Sequence, residues 1–109
     1  MPTIAVPDYA GGSLVNLVAE LEALLGGTPP QPRLRPDLAA LIPPAATYVL
    51  VVCDGLGDLQ LDHSAAASLR SARAGALDAP FPATTTVSLA TIATGLPPAA
   101  HGLLGYQMW

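Results

Sequence analysis

The stretch YVLVVCDGLG, residues 48–57, decides the fold. From Tyr48 to Cys53 the chain is apolar and rich in valine, with no polar alternation. A strand with one wet face alternates, whereas an uninterrupted run fits a strand covered on both faces, as in a parallel sheet. Six residues are far too few to cross a bilayer. Asp54-Gly55 ends the run. Downstream, Asp58–Leu61 reads as a turn of helix, residues 64–74 as a helix closed by Gly75, and Leu77–Phe81 as a short second strand. Strand, helix and strand at this spacing predict a right-handed βαβ crossover, hence an α/β sheet.

The second informative stretch is FPATTTVSLATIATGLPPAAHGLLGY, residues 81–106. Thr84 to Ala93 reads as a helix opened by the threonine cluster and broken by Gly95, Pro97 and Pro98. Its small and apolar residues permit close packing against a sheet. Gly102 and Gly105 keep the remainder loop-like.

Upstream, Pro2, Pro7 and Gly11-Gly12 mark residues 1–12 as an extended lead-in. Ser13 reads as an N-cap, followed by Leu14, Leu17, Val18, Leu21 and Leu25 at helical spacing, with Glu20 and Glu22 off that stripe. Gly26-Gly27 ends this helix. Prolines 29, 30, 32, 36, 43 and 44 make residues 28–46 a stiff connection that packs rather than floats, with a helical turn at Asp37–Ile42. Arg33 and Arg35 within it read as solvated surface charge. The chain thus divides into an N-terminal helix with a proline-rich lead-in, residues 1–46, and an α/β portion, residues 47–109.

Bulk properties narrow the function. The 109 residues suffice for one small domain, and 51% hydrophobic against 11% charged residues argues against disorder through charge. Net charge is −4, lysine is absent, and the basic residues are Arg33, Arg35, Arg70 and Arg73. No basic patch exists to bind nucleic acid by charge. The Ala, Gly, Pro and Leu bias without lysine fits a GC-rich bacterial genome. Cys53 has no intrachain partner, and its place in an apolar run predicts a buried small hydrophobe. The N-terminus lacks a basic region followed by an apolar one, so the expected location is the cytoplasm.

Asp54 follows the C-terminal end of the predicted strand, the edge where open α/β sheets bind ligands. A carboxylate there, with Gly55 and Gly57 beside it, leaves room for a metal or phosphate near the backbone; it could equally cap the next turn. Thr84, Thr85 and Thr86 stand at a helix start, where backbone N–H groups attract anions and a hydroxyl can act as nucleophile. One of them could simply be the N-cap. A phosphatase of the haloacid dehalogenase type would want a second Asp where Leu56 stands, and a Gly-x-Gly-x-x-Gly dinucleotide turn is absent. His63 beside Asp62 reads as exposed, and His101 before Gly102 as a ligand of backbone rather than metal. Neither has a second His or Cys at metal-site spacing.

Taken in order, the strand ending in Asp54-Gly55, then Phe81-Pro82-x-Thr-Thr, then Thr94-Gly95-Leu96-x-Pro98-x-x-His101-Gly102 resembles the N-terminal part of the type I phosphodiesterase/nucleotide pyrophosphatase family of the alkaline phosphatase superfamily. The resemblance spans roughly residues 47–106. It implies part of a large α/β sandwich around a mostly parallel sheet, incomplete in this chain, with two divalent metal ions, usually zinc. It implies Asp54 as a ligand of one metal and Thr85 as the nucleophile held by that same metal, hydrolysing small phosphate esters through a covalent threonine intermediate. Family members carry further Asp and His ligands downstream, so the expectation is a truncated piece that is inactive alone. Tyr106 stands where nucleotide-cleaving members often have Asn to bind a phosphate oxygen; its hydroxyl could donate from a longer arm. Monoesters, diesters, phosphonates and sulfates all stay open as substrates, as does oligomeric state. Two other readings remain: a non-catalytic remnant or interaction module without metals, and a small α/β protein using the helix start at Thr85 to bind nucleotide.

Overall fold

Two capped helices, packed against each other, carry the core of this chain. The structure, a computed structural model, describes residues 4–106. Helix α1 spans Leu14–Leu24 and α2 Pro36–Ala39. Two short 3-10 turns, Asp58–Asp62 and Ser64–Ala66, lead into α3, Ala67–Ser71. Then come α4, Thr85–Thr94, and α5, Pro98–His101.

Helix α1 starts where Ser13 predicts, through an unexpected partner. Asn16 Oδ1 accepts from the Ser13 backbone N–H at 3.0 Å and from Ser13 Oγ at 2.7 Å. The Asn16 amide in turn donates to the carbonyls of Tyr9 and Pro32, both at 2.8 Å. Asn16 is therefore a buried junction between the helix start and two flanking segments. The expected stripe needs correction. The fully covered face of α1 is Val15, Asn16, Ala19 and Glu20, whereas Leu14, Leu17, Val18 and Leu21 are half-buried and Leu25 is exposed. Polar satisfaction explains the rotation: Asn16 and Glu20 both have partners that let them go inside.

Glu20 is the clearest case. Arg33 grips its carboxylate with two bonds, Nη2 to Oε1 at 2.6 Å and Nε to Oε2 at 2.9 Å. The Glu20 side chain is 3% exposed and that of Arg33 53%. Arg33 stays half in solvent, as a surface charge would, but it is also the clamp that lets the Glu20 carboxylate be buried. Arg35 does remain near the surface, paired to Asp37 at 3.0 Å and Asp8 at 3.6 Å. Leu34 and Leu38 of the same stretch join Val15, Ala19, Val87 and Ala90 as buried apolar residues. The connection is anchored at Leu34 and Leu38 while most of its residues stay exposed, and α2 overlaps the expected turn at Asp37–Ile42.

Helix α4 begins at a real N-cap. Thr84 is extended, and its Oγ1 accepts from the Val87 N–H at 3.4 Å. Val87, Ala90 and Thr91 form its covered face and pack toward α1. Gly95 ends it in the left-handed region at φ +68°, which only glycine adopts without strain.

The predicted sheet is not formed among the described residues. Tyr48–Cys53 is unpaired, with Val49, Leu50, Val51 and Val52 all exposed. Leu77–Phe81 contributes a single parallel bridge, Ser13 to Asp78, closed by Leu14 N–H to Asp78 O at 3.0 Å and Asp78 N–H to Gly12 O at 2.9 Å. A strand buried on both faces needs neighbours from elsewhere, and no described segment lies beside Tyr48–Cys53 in register. Cys53 is consequently exposed rather than buried. The helix expected over 64–74 is also shorter, confined to α3 and the turn before it, with no buried residue to anchor it. The accessible surface is 7432 Å² for 11.0 kDa. A closed monomer of that mass exposes about 5,600 Å². The exposed apolar residues Val49, Leu50, Val51, Val52, Leu56, Leu59 and Leu69 contribute to that difference.

Candidate active site

An open cleft of about 750 Å³ separates the 50–57 segment from the start of α4. One wall runs from Leu50 to Gly57. The other is built from Leu77–Ala79, Ala83–Thr85 and the Ser88, Leu89 and Ile92 side of α4. Helix α4 therefore has two working faces: Val87, Ala90 and Thr91 pack inward, and Ser88, Leu89 and Ile92 look across the cleft.

Asp54 and Thr85 meet in this cleft. Thr85 Oγ1 donates to Asp54 Oδ1 at 2.9 Å, although 31 residues separate them. Each position has a local cause. Thr85 is the first residue of α4, immediately after the Thr84 cap, so its side chain sits beside N–H groups that have no partner within the helix. Asp54 ends the extended segment at a turn closed by Leu56 N–H to Cys53 O at 3.3 Å. Gly55 takes φ +75° there, which lets the chain reverse directly after the carboxylate. Thr84 is committed to capping, so of the threonine cluster it is Thr85 whose hydroxyl faces the acid.

The other candidates are elsewhere. Tyr106 is exposed and does not line the cleft. His63 Nδ1 accepts from the Ala65 N–H at 3.1 Å in an exposed turn. His101 Nδ1 accepts from the Leu103 N–H at 3.1 Å, which leaves the ring proton on Nε2, 3.2 Å from the buried Thr91 hydroxyl. The Thr94–Gly102 motif is thus a clip: Gly95 closes α4, Pro98 opens α5, Gly102 turns at φ +78°, and His101 ties α5 back to α4. The displaced pKa values also lie away from the cleft. Hydrogen bonds from Arg33 and then its charge hold Glu20 below the usual carboxylate value against the opposing effect of burial. Arg35 similarly lowers Asp37. A second cavity of about 460 Å³, between residues 4–7, Tyr9, Phe81 and Pro97–Ala99, is almost wholly apolar and offers no reactive group.

Asp54 and Thr85 suit a hard or borderline divalent cation in kind, being oxygen donors on one cleft wall each. They fall short in number. Among the described residues no three His, Cys, Asp or Glu side chains gather as a ligand set, and one zinc ion takes four ligands.

The sequence model of the type I phosphodiesterase / nucleotide pyrophosphatase family matches residues 48–109, more than half of the chain. The chain belongs to this family. The match begins at the strand-like run and takes in Asp54, the threonine turn, α4 and the Thr94–Gly102 clip. Residues 1–47, with α1 and the Glu20–Arg33 pair, lie outside it. No curated protein and no solved structure matches the chain. Among the described residues no helix is long and apolar enough to cross a membrane.

Proposed function

We propose that this phosphodiesterase-family chain carries the nucleophile half of a phosphate-ester hydrolase, with Thr85 as nucleophile and Asp54 as its partner and metal ligand. The observation that carries this reading is the 2.9 Å hydrogen bond from Thr85 Oγ1 to Asp54 Oδ1. It joins the family's strand-end acid to the threonine at a helix start. The hydroxyl proton points to the acid, so the oxygen's lone pairs are left toward the cleft. In the first step Oγ1 forms a bond to phosphorus as the bond from phosphorus to the leaving oxygen breaks. The leaving group takes the electron pair and the threonine proton departs along the bond to Asp54. Water then cleaves the phosphothreonine and frees Thr85. The first-turn N–H groups of α4 and its dipole favour the anionic phosphate beside Thr85. Two divalent ions, with zinc the family's usual metal, would polarise the phosphate and acidify the attacking groups; Asp54 and Thr85 would hold one of them. The remaining ligands, and the neighbours of Tyr48–Cys53 in a mostly parallel sheet, come on this reading from outside these 109 residues.

The test compares the full-length gene product with its Thr85→Ala variant on bis(p-nitrophenyl) phosphate and p-nitrophenyl phosphate, with zinc added. The variant should lose at least about 1,000-fold in kcat with its fold unchanged. Activity retained within threefold would overturn the role of Thr85. The alternative is a non-catalytic interaction module, favoured by the absence, among the described residues, of three His, Cys, Asp or Glu side chains gathered as a ligand set. It predicts no turnover in either protein and no zinc uptake by equilibrium dialysis.

A further inference from the structure

The segment that delivers Thr85 is tied down by residues lying wholly outside the family match. Asp78 is held three ways: its N–H bonds Gly12 O at 2.9 Å, its carbonyl accepts from Leu14 N–H at 3.0 Å, and its Oδ2 accepts from Asp8 N–H at 2.9 Å. Three residues on, the Phe81 N–H donates to the Tyr9 hydroxyl at 3.0 Å. Pro80 between them is fully buried. Thr84 N–H then bonds Pro82 O at 2.9 Å, and α4 begins at Thr85. The segment is thus fastened to the N-terminal region at Asp78 and Phe81, a local turn bond at Thr84 follows, and the nucleophile is the next residue along. The 8–14 segment is itself fixed by Asn16 and by Arg35 N–H to Gly11 O at 3.0 Å.

We propose that Asp78 and Tyr9 are positioning residues for Thr85. The N-terminal region acts as a brace that sets the nucleophile turn against Asp54. This rests on the reading of Thr85 as nucleophile. Its physical basis is independent of the metals: a reacting oxygen held to within a fraction of an ångström gains rate through orientation, and a misplacement of about 1 Å costs on the order of 100-fold. Among the described residues the opposite wall has no comparable fastening: the turn at Asp54 is closed by one long bond, Leu56 N–H to Cys53 O at 3.3 Å. The brace therefore supplies the rigid side of the site.

The test uses Tyr9→Phe, which removes one hydroxyl, and Asp78→Ala with Asp78→Asn as rescue, since the amide oxygen still accepts from Asp8 N–H. Amide hydrogen exchange on the 109-residue chain reads the brace directly. Tyr9→Phe and Asp78→Ala should lower protection of the Phe81 and Thr84 amides by about tenfold, leave Gly95 at the far end of α4 unchanged, and Asp78→Asn should restore it. In the full-length gene product the same two variants should lower kcat with KM within twofold, and Asp78→Asn should recover it. A uniform loss of protection that includes Gly95 would reduce the contacts to general stability and overturn the proposal. So would unchanged exchange or unchanged kcat. The Thr85→Ala control separates the two readings: if it keeps full activity, the nucleophile assignment has failed whatever the exchange shows.

Discussion

Replacing Glu20 by Gln tests whether a buried charge pair, invisible to periodicity, holds α1 in place. Gln keeps the size and one acceptor oxygen, so the Nη2 bond survives as a bond to a neutral amide. The Nε bond loses its acceptor and the charge assistance goes. A hydrogen bond to a charged group contributes about 1.5–3 kcal/mol net and a neutral one about 1. Arg33 is half in solvent, which screens the pair and places the expected loss at about 1–2 kcal/mol. Thermal unfolding followed by circular dichroism should show a Tm lower by on the order of 5–10 °C. The pH dependence adds a sharper criterion. The folded carboxyl of Glu20 is held below its ordinary value, chiefly by the Arg33 hydrogen bonds. Its contribution is therefore complete above the unfolded value of about 4.3 and is lost as pH falls through the folded value. Wild type and Glu20→Gln should differ by a constant amount from about pH 6 to 8 and converge as pH falls through the lowered folded value, where the wild-type carboxyl also becomes neutral. A gap below about 0.4 kcal/mol at pH 7, or one that fails to close in acid, would refute the reasoning.

Three further substitutions probe the frame of the site. Gly95→Ala places a Cβ at 3.5 Å from Val18 Cγ1, an ordinary contact, so its cost is the left-handed backbone alone. Urea unfolding should show a loss of about 1 kcal/mol. Thr84→Ala removes an N-cap whose bond is long at 3.4 Å; the loss should fall near the low end of the usual range, about 0.5–1 kcal/mol, read as a shifted urea midpoint at constant slope. Thr91→Val keeps the shape of a fully buried side chain and strips the hydroxyl that meets His101 Nε2. It should cost about 1–2 kcal/mol and release the α5 turn, seen as faster exchange of the Gly102 and Leu103 amides.

What could be read in the sequence was what the chain encodes locally. Ser13 with Gly26, and Thr84 with Gly95, bracket α1 and α4 because caps and left-handed glycines act within a turn of themselves. Leu38 in a proline-rich connection found its turn for the same reason. Hydrophobic spacing alone does not give the buried face of α1, because it assumes that acids stay out, and Glu20 goes in by virtue of Arg33, 13 residues away. The Ser13-x-x-Asn16 spacing was the available signal for the junction at the helix start. An apolar run predicts burial of Cys53, but burial needs strand neighbours from distant chain, which leave no trace in six residues. The Asp54–Thr85 contact was equally beyond periodicity, since nothing in either segment encodes their meeting. The resemblance to the family's ordered motifs is what names the two together, and the structure places their side chains 2.9 Å apart. Asp78 and Tyr9 carried no motif at all.

The two halves of the site are unequally made, and the inequality follows from range. Thr85 sits on a capped ten-residue helix packed against α1 and reached through a segment fastened at Asp78 and Phe81. Everything that fixes it lies within the described residues. Asp54 hangs from an unpaired run of exposed valines, and its strongest tie is the threonine hydroxyl itself. A sheet neighbour on Tyr48–Cys53 would supply the backbone bonds the run lacks and would cover part of the surplus surface. Each such bond acts on the strand, not on α4, so it would fix Asp54 without moving Thr85. On the proposed reading the wall that carries Thr85 is set by contacts within the described residues, whereas the wall that carries Asp54 would gain its precision from a neighbour on Tyr48–Cys53.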